Sequence, residues 1–361
     1  MILLSKLFKD FTFNKKKLSS LKTRYISVYL DGNSDIQFAF AREMLSGESN
    51  KYREEPNYFG DKWSDTLLLQ LNIIKDPCKY FGNDRIITKT ELREITSWLT
   101  SPHKPLWLQF ENMESSTDDS VRYKGWFSDI TPFSVGGNLM GLTLSFKCTS
   151  PFAYTEDIQN KFENANSQSL LLKVSSDSLE NYTYPKISFD VKNNGQVYIC
   201  NMSDCEILEN SILSSSSFEE LTRKISLYAS AKKYELRYAT NSSGEVNKIC
   251  NDTAVEFYLK DAYGEEIKCA AYYLPDSKQY WIIRGGFMWV SLYRDLNITI
   301  DCQKLLIYDS IGRMVTYDKL GVSDVDSMYW LKLKNGNNSI RIYGNGNNIT
   351  FTHIEARKVG E

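Results

Sequence analysis

Short alternations of apolar and polar residues, separated by polar turns, recur along most of this 361-residue chain. Ile187, Phe189 and Val191 alternate with polar neighbours, and residues 296–300 repeat the pattern. Successive side chains of a strand point to opposite faces of a sheet, so a period of two predicts half-buried strands. The pattern predicts a mostly β protein with a minor α component.

Further strands are predicted where apolar and β-branched residues cluster between turn residues. They lie at residues 24–30, 36–41, 65–74, 106–110, 121–130, 141–148, 329–333, 339–343 and 349–354. The last three are separated by Asn335-Gly336 and by Gly344-Asn345-Gly346-Asn347. Because Asn and Gly tolerate the positive φ of tight turns, this closing segment predicts hairpins and, with the alternations before it, a β-sandwich.

One helix is predicted in the first half of the chain. Thr88-Lys-Thr-Glu91 has the form of a capping box, and the apolar residues of 92–99 lie on one face at helical spacing before Ser101-Pro102. Such a box satisfies backbone N–H groups at a helix start, and proline ends the element. A shorter amphipathic stretch runs from Phe218 to Leu227. The first helix should pack its apolar face on a sheet.

The chain is long enough for two domains of ordinary size. Residues 155–180 are polar with little periodicity, which suits a linker or a boundary strand. We therefore expect an N-terminal β-sandwich or barrel domain at 1–160 and a C-terminal β-sandwich at 161–361. Within the second, the alternation loosens between residues 206 and 292, which indicates an insertion.

Composition narrows the possible functions. Apolar residues make up 42% of the chain and charged residues 24%, and the net charge is −2. A chain without an excess of basic residues is not expected to bind nucleic acid non-specifically. The seven cysteines include no Cys-x-x-Cys pair and are expected to be reduced. No signal peptide or membrane span is expected, so folding should occur in the cytoplasm.

No pattern of catalytic or metal-binding residues stands out. The two histidines, His103 and His353, lie far from any nucleophile-elbow sequence. Residues 31–35 imitate the start of a calcium loop, but Ile36 and Arg42 occupy positions where the loop requires Gly and Glu. We expect no enzyme activity, no cofactor and no metal.

One group of aromatic residues is a candidate contact surface. It falls within the expected insertion and comprises Tyr272, Tyr273, Tyr280, Trp281 and Trp289. Exposed aromatic faces can stack on sugar rings or on a partner protein. The alternative is that these residues are core and cross-strand residues of an additional hairpin, because aromatics are common in ordinary strands.

Several segments, taken in order, resemble the distal tail proteins of siphophages, the bacterial viruses with long non-contractile tails. The segments are residues 57–71 (NYFGDKWSDTLLLQL), 90–99 (TELREITSWL), 123–130 (YKGWFSDI), 141–154 (GLTLSFKCTSPFAY) and 329–342 (YWLKLKNGNNSIRI). The chain departs from the family at residues 206–292, which are additional, and at Asn14-Lys15-Lys16-Lys17, where the family commonly has glycine after Asn.

This resemblance implies a structural protein of the virion tail tip, made in the cytoplasm of the bacterial host. The N-terminal domain would close into a homohexameric ring beneath the tail tube protein, leaving a channel through which DNA passes. A galectin-like C-terminal domain would carry a tail-associated lysin or fibre, or receptor-binding proteins. The alternative is an adhesion module whose insertion binds a saccharide of the host cell wall.

Overall fold

The protein divides into two compact units, and each is described by itself. The computed structural model describes residues 8–28, 36–37, 42–47, 58–63, 66–112, 121–164, 169–178, 182–191, 195–240, 244–249, 253–292, 296–316 and 328–358. The first unit comprises Met1–Glu156 with Ala356–Glu361, and the second comprises Asp157–Glu355. The border expected near residue 160 lies four residues beyond this division, and the return of the C-terminus to the first unit has no counterpart in the sequence pattern.

The first unit is built on one large antiparallel sheet. Its elements are β1 (Phe8–Phe13), β2 (Lys16–Lys17), β3 (Tyr25–Val28), β4 (Ile36–Gln37), β5 (Arg42–Ser46), β6 (Tyr58–Trp63), β7 (Leu68–Lys75), α1 (Lys89–Thr100), β8 (Leu106–Asn112), β9 (Val121–Val135), β10 (Asn138–Cys148), β11 (Ala153–Thr155) and, from the other end of the chain, β29 (Ala356–Arg357). The sheet runs in the order β2-β1-β8-β9-β10-β7-β3; β4 pairs with β7, and β11 pairs with β9 and β29. Strands β5 and β6 form a separate hairpin.

One face of the large sheet packs on α1, as the sequence predicts. The capping box at Thr88 and Glu91 is present, and the helix ends at Thr100. Ile95, Trp98 and Leu99 are buried against strands of the sheet. Trp98 also donates its indole N–H to the Phe13 carbonyl at 3.2 Å, which ties the helix to β1.

A buried ion pair joins α1 to β7. Lys75 Nζ lies 2.8 Å from Glu91 Oε2 and donates to the Ile86 carbonyl at 2.8 Å. Glu91 also accepts hydrogen bonds from the Thr88 N–H at 2.8 Å and from the Thr23 hydroxyl at 2.7 Å. Burial by itself raises the pKa of Glu91, but hydrogen bonds from Lys75, Thr88 and Thr23 outweigh it and lower the pKa to about 2. The carboxylate thus fixes the helix start to the sheet.

Close approach of neighbouring strands explains the glycine of the YKGWFSDI segment. Gly125 lies in β9, and a Cβ placed there would be 2.2 Å from the Lys147 carbonyl oxygen of β10. No side chain fits at that distance without moving the backbone. This glycine therefore has a structural reason that composition alone does not reveal.

The second unit is a β-sandwich with an additional layer. Its elements are β12 (Ile158–Asn164), β13 (Ser169–Val174), β14 (Tyr182–Thr183), β15 (Lys186–Val191), β16 (Gln196–Asn201), β17 (Glu206–Ile212), α2 (Phe218–Lys232), β18 (Glu235–Tyr238), β19 (Lys248–Ile249), β20 (Ala254–Lys260), β21 (Glu266–Leu274), β22 (Gln279–Arg284), β23 (Phe287–Ser291), β24 (Leu296–Asp301), β25 (Leu306–Asp309), β26 (Leu333–Lys334), β27 (Gly336–Gly344) and β28 (Gly346–His353). The mostly β fold with a minor α component is therefore confirmed.

Two sheets of the second unit enclose one apolar core. The five-stranded sheet has the order β12-β28-β15-β24-β25, and the four-stranded sheet has the order β13-β27-β16-β23. Ile187 and Phe351 of the first sheet and Ile199 and Ile342 of the second belong to the same buried cluster. Alternate residues of each strand supply this core, which confirms the half-buried strands predicted at 187–191 and 296–300.

A third sheet packs on the outer face of the four-stranded sheet, against β16, β23 and β27. It has the order β17-β22-β21-β20-β18, with β19 also paired to β20. Leu221, Ile225 and Ala229 of α2 pack on one of its faces. This inserted sheet runs from Glu206 to Arg284, whereas the next strand, β23, pairs with β16 of the sandwich. The expected insertion at 206–292 therefore includes a sandwich strand at its C-terminal end.

Other expectations have mixed outcomes. Of the two alternatives for the polar segment 155–180, the structure has strands and not a linker: it holds β12 and β13, which lie at the ends of the two sandwich sheets. The predicted hairpin of 339–343 and 349–354 is wrong, because β27 and β28 lie in opposite sheets and face each other across the core. The strand predicted at 329–333 reduces to Leu333–Lys334.

Some expectations fall outside the described residues. These are the turn and calcium-loop imitation at 31–35 and parts of the strands predicted at 24–30, 36–41 and 65–74. Within the described part of the chain, no helix has the length and apolar character needed to cross a membrane.

The Glu91 carboxylate predicts a pH-dependent stability of the first unit. Its folded pKa of about 2 is below the unfolded value of about 4.3, so its contribution is complete above roughly pH 5 and is lost as the pH falls towards 2. We expect Glu91→Gln to lower the free energy of unfolding by about 1–3 kcal/mol at pH 7, and this deficit to shrink below pH 4. Urea denaturation at several pH values measures both effects.

Glu94→Gln, on the same helix, is the matched control and should change stability by less than about 0.5 kcal/mol. A deficit for Glu91→Gln that is the same at pH 7 and pH 2.5 would contradict the assigned role of its charge.

Removal of the inserted sheet should leave the sandwich folded. A Cβ on Gly286 would lie 2.9 Å from the Cys205 backbone nitrogen, so the two ends of the insertion meet. We expect a variant that lacks Glu206–Arg284 to keep β-type circular dichroism and cooperative melting, because the sandwich has its own core.

The same deletion uncovers aromatic side chains of the four-stranded sheet, so we expect the variant to self-associate and to bind a hydrophobic dye. Adding Trp289→Thr and Tyr343→Thr should reduce both effects. Non-cooperative melting of both forms would show that the sandwich cannot fold without the inserted sheet.

Candidate interaction surfaces

The five candidate aromatic residues do not form one platform. Tyr272 and Tyr273 are neighbours on β21, and Tyr280 and Trp281 are neighbours on β22, so each pair points to opposite faces of the inserted sheet. Tyr273 and Tyr280 pack in the cluster beneath α2, whereas Tyr272 packs against the sandwich. Their sequence clustering therefore reflects two different buried layers.

The layer between the inserted sheet and the sandwich is rich in aromatic rings. We call it the aromatic layer; it comprises Tyr198, Tyr272, Trp281, Phe287, Trp289 and Tyr343. Tyr272 stacks on Trp281 with ring centroids 5.2 Å apart, and Tyr198 stacks on Phe287 at 6.1 Å. Burial raises the pKa of the Tyr343 hydroxyl to about 12. The layer is a packed interior that joins two sheets.

Of the five aromatic residues predicted as a saccharide contact, only one has a side chain that is partly accessible to a ligand. Tyr272, Tyr273, Tyr280 and Trp289 are each at least nine-tenths buried, and Trp281 is the partly exposed member of the five. The guanidinium of Arg341 lies 4.6 Å from the centroid of the Trp281 ring, and Tyr272 stacks on the same ring. What remains accessible of this indole borders a pocket.

The pocket lies between β17 and β22, where antiparallel pairing places Asn210 opposite Trp281 and Ile212 opposite Gln279. Its volume is about 210 Å³, and the residues that line it are Asn210, Ser211, Ile212, Gln279, Tyr280 and Trp281. Strand alternation places the side chains of Asn210, Ile212, Gln279 and Trp281 on one face of the sheet and those of Ser211 and Tyr280 on the other. Such a lining offers both hydrogen-bond donors and acceptors next to an apolar surface. Sequence reasoning missed Asn210 and Gln279, because only strand pairing brings residues so distant in the chain together.

The first unit presents a second candidate surface at the β5–β6 hairpin. Among the described residues, β5 pairs only with β6. Phe59 is 68% exposed and Leu45 is 40% exposed. A two-stranded hairpin by itself is marginally stable in water, and its exposed apolar side chains make it a candidate contact surface. The isolated pairing is a tertiary feature that the sequence pattern did not predict.

The histidines lie apart from both surfaces. His103 is exposed. His353 is buried, with Nε2 3.6 Å from Glu355 Oε1, and burial lowers its pKa. In the described part of the chain, no group of three or more His, Cys, Asp or Glu side chains is arranged to hold a metal ion.

Comparison with known proteins connects the first unit to a family. Residues 6–150 match the model of a family described as phage tail protein N-terminal domain. This stretch coincides with the unit that contains the large sheet and α1. The resemblance to phage tail proteins is thus confirmed for the N-terminal unit. No curated protein matches the chain.

Solved structures similar to this chain come from phages. The crystal structure of the SPP1 Dit (gp 19.1) protein, described as a paradigm of the hub adsorption apparatus in phages that infect Gram-positive bacteria, is 13% identical, covers 96% of this chain and 98% of its own, and has a TM-score of 0.49. Two structures of the phage P2 baseplate in its activated conformation, with Ca and with Sr, are each 8% identical, cover 98% of this chain and 99% of their own, and have TM-scores of 0.40.

Proposed function

We propose that the chain is a distal tail protein, a structural component of the phage virion at the tail tip. The observation that carries this proposal is the match of residues 6–150 to a phage tail protein N-terminal domain, over residues that form most of the ten-stranded sheet. The role is assembly and not catalysis.

In this proposal the N-terminal unit closes into a homohexameric ring. The β5–β6 hairpin supports ring formation, because it has no further strand partner among the described residues and exposes Phe59. The large sheet also ends in the two-residue strand β2 and the four-residue strand β3, whose outer edges can pair with another copy. A closed ring satisfies such surfaces by symmetry.

The second unit would form the outer part of the hub. A galectin-like sandwich there would hold a tail-associated lysin or fibre, or receptor-binding proteins, while the ring contacts the tail tube protein. DNA would only pass through the channel, which fits a chain with net charge −2.

The ring can be tested through the hairpin. We expect the purified protein to give hexamers in native mass spectrometry and rings by electron microscopy. Phe59→Asp should shift the population towards monomers, because a charge at a buried subunit contact is strongly destabilising. Its melting midpoint as a monomer should change little, since Phe59 is exposed in the single chain.

Tyr263→Asp is the matched control, because this exposed aromatic lies in the second unit. It should leave the oligomer intact. A strictly monomeric wild-type protein at high concentration, with no ring on assembled tails, would exclude the ring; hexamers that persist in Phe59→Asp would exclude the hairpin as its contact.

A second candidate function is saccharide binding at the pocket beside Trp281. The supporting observation is the lining of the pocket, where the amides of Asn210 and Gln279 lie on the same sheet face as the Trp281 indole. A host cell-wall saccharide would use the amides of Asn210 and Gln279 for hydrogen bonds and the accessible part of Trp281 for apolar contact. This function is compatible with the hub.

Substitutions separate binding from folding. If the pocket binds saccharide, Trp281→Ala should weaken binding of host cell-wall fragments by about 1–3 kcal/mol, by analogy with aromatic stacking on bases. Gln279→Ala should weaken it by about 0.5–1.5 kcal/mol, the usual net worth of a lost hydrogen bond. Gln279→Ala should leave the melting midpoint nearly unchanged, because this side chain is exposed. Fluorescence titration and thermal melting give the two readouts.

Trp289→Ala is the contrasting variant. Trp289 is buried in the aromatic layer, so the change should destabilise the fold by about 3–5 kcal/mol. The saccharide function would be excluded if Gln279→Ala bound the fragments as tightly as the wild-type protein does, or if the wild-type protein bound no fragment. The inserted sheet would then have only a structural role.

A further inference from the structure

Two cysteines meet where the chain leaves the sandwich and enters the inserted sheet. Cys200 lies near the end of β16, and Cys205 immediately precedes β17. Both side chains contact Met202: Cys200 Sγ lies 3.6 Å from its Sδ, and Cys205 Sγ lies 3.5 Å from its carbonyl oxygen. Both are free thiols.

A tight turn brings the two thiols together. The Asp204 N–H donates to the Asn201 carbonyl at 3.0 Å, and the Asn201 side chain accepts from the Ser203 N–H at 3.1 Å. A four-residue turn of this kind brings its ends, Asn201 and Asp204, within about 7 Å of each other. Cys200 and Cys205 flank the turn, and their thiols meet at Met202. Gly286 packs against the same turn, since a Cβ there would lie 2.9 Å from Cys205 Cβ.

The two thiols differ in exposure and in acidity. Cys200 is fully buried, whereas Cys205 is partly exposed. A hydrogen bond from the Cys200 thiol lowers the pKa of Cys205, and the same bond together with burial raises the pKa of Cys200. An accessible thiol of lowered pKa next to a second thiol is the arrangement that reacts with oxidants and then closes on its neighbour.

We propose that Cys200 and Cys205 form a disulfide when the protein meets an oxidising environment. With a small disulfide such as glutathione disulfide, the Cys205 thiolate attacks one sulfur, breaks the S–S bond and releases one glutathione thiolate. Cys200 then loses its proton and attacks the Cys205 sulfur, which expels the second glutathione thiolate. Two protein thiols are oxidised, and one small disulfide is reduced to two thiols.

The disulfide would secure the joint between the two layers of the second unit. The disulfide would close a short loop, so it would lower the chain entropy of the unfolded state only a little and add little stability in this way. Its main effect is to tie the end of β16 to the start of β17, beside the return of the chain at Gly285-Gly286. If the chain belongs to a virion, as proposed above, it leaves the reducing cytoplasm at release, and the disulfide forms then.

The test uses the purified full-length protein and glutathione disulfide. Trypsin leaves Cys200 and Cys205 on one peptide, residues 193–223, which contains no other cysteine. After oxidation we expect this peptide to lose two hydrogen masses and to resist alkylation until it is reduced. Cys205→Ser should abolish the product, and Cys269→Ser, at a buried thiol of the inserted sheet, should not.

Any of three results would overturn the proposal: full alkylation of both thiols after treatment, a Cys205–glutathione adduct that does not close, or pairing of Cys205 with a different cysteine. Hydrogen exchange gives the second readout, because the amides of residues 201–206 should exchange several-fold more slowly in the oxidised protein. Unchanged exchange would overturn the role at the joint. Neither readout depends on ring formation, so this proposal and the hub can fail separately.

Discussion

Strand β16 of the four-stranded sheet is buried on both faces, and the arrangement of the second unit depends on this constraint. On one side, Val197 and Ile199 of β16 face the five-stranded sheet; on the other, Tyr198 and Cys200 face the inserted sheet. A strand that is buried on both faces cannot slip by one residue without exchanging its two sets of contacts. The inserted sheet is therefore a third layer of the fold, held by aromatic packing.

That double burial changes what the aromatic residues can do. Rings in the aromatic layer stack on one another and have little surface left for a ligand. The accessible polar and reactive side chains therefore lie at the edge of the layer. The pocket at β17 and β22 and the thiol pair at the β16–β17 turn both lie there.

The first unit follows a different principle. Its helix is fixed to the sheet by the Lys75–Glu91 ion pair and by the Trp98 indole, so its core is complete within one chain. The β5–β6 hairpin differs, because its apolar side chain Phe59 is exposed in the single chain. A buried core together with an exposed apolar side chain on a peripheral hairpin is expected for a subunit of an assembly. This agrees with the match of residues 6–150 to a phage tail family.

The sequence alone determined the features that depend on neighbours in the chain. The capping box at Thr88–Glu91 predicted the helix start, and the alternation at 187–191 and 296–300 predicted strands, because both signals arise within one element. The resemblance to phage tail proteins also came from the sequence, from several short segments that occur in the same order along the chain as in that family. Only the tertiary structure decided which sheet each strand joins: β27 and β28 read as a hairpin but face each other across the core. A period of two shows that one face is buried and not which partner buries it, so the separation of Tyr272 from Tyr273 and the meeting of Asn210 with Trp281 required long-range strand pairing.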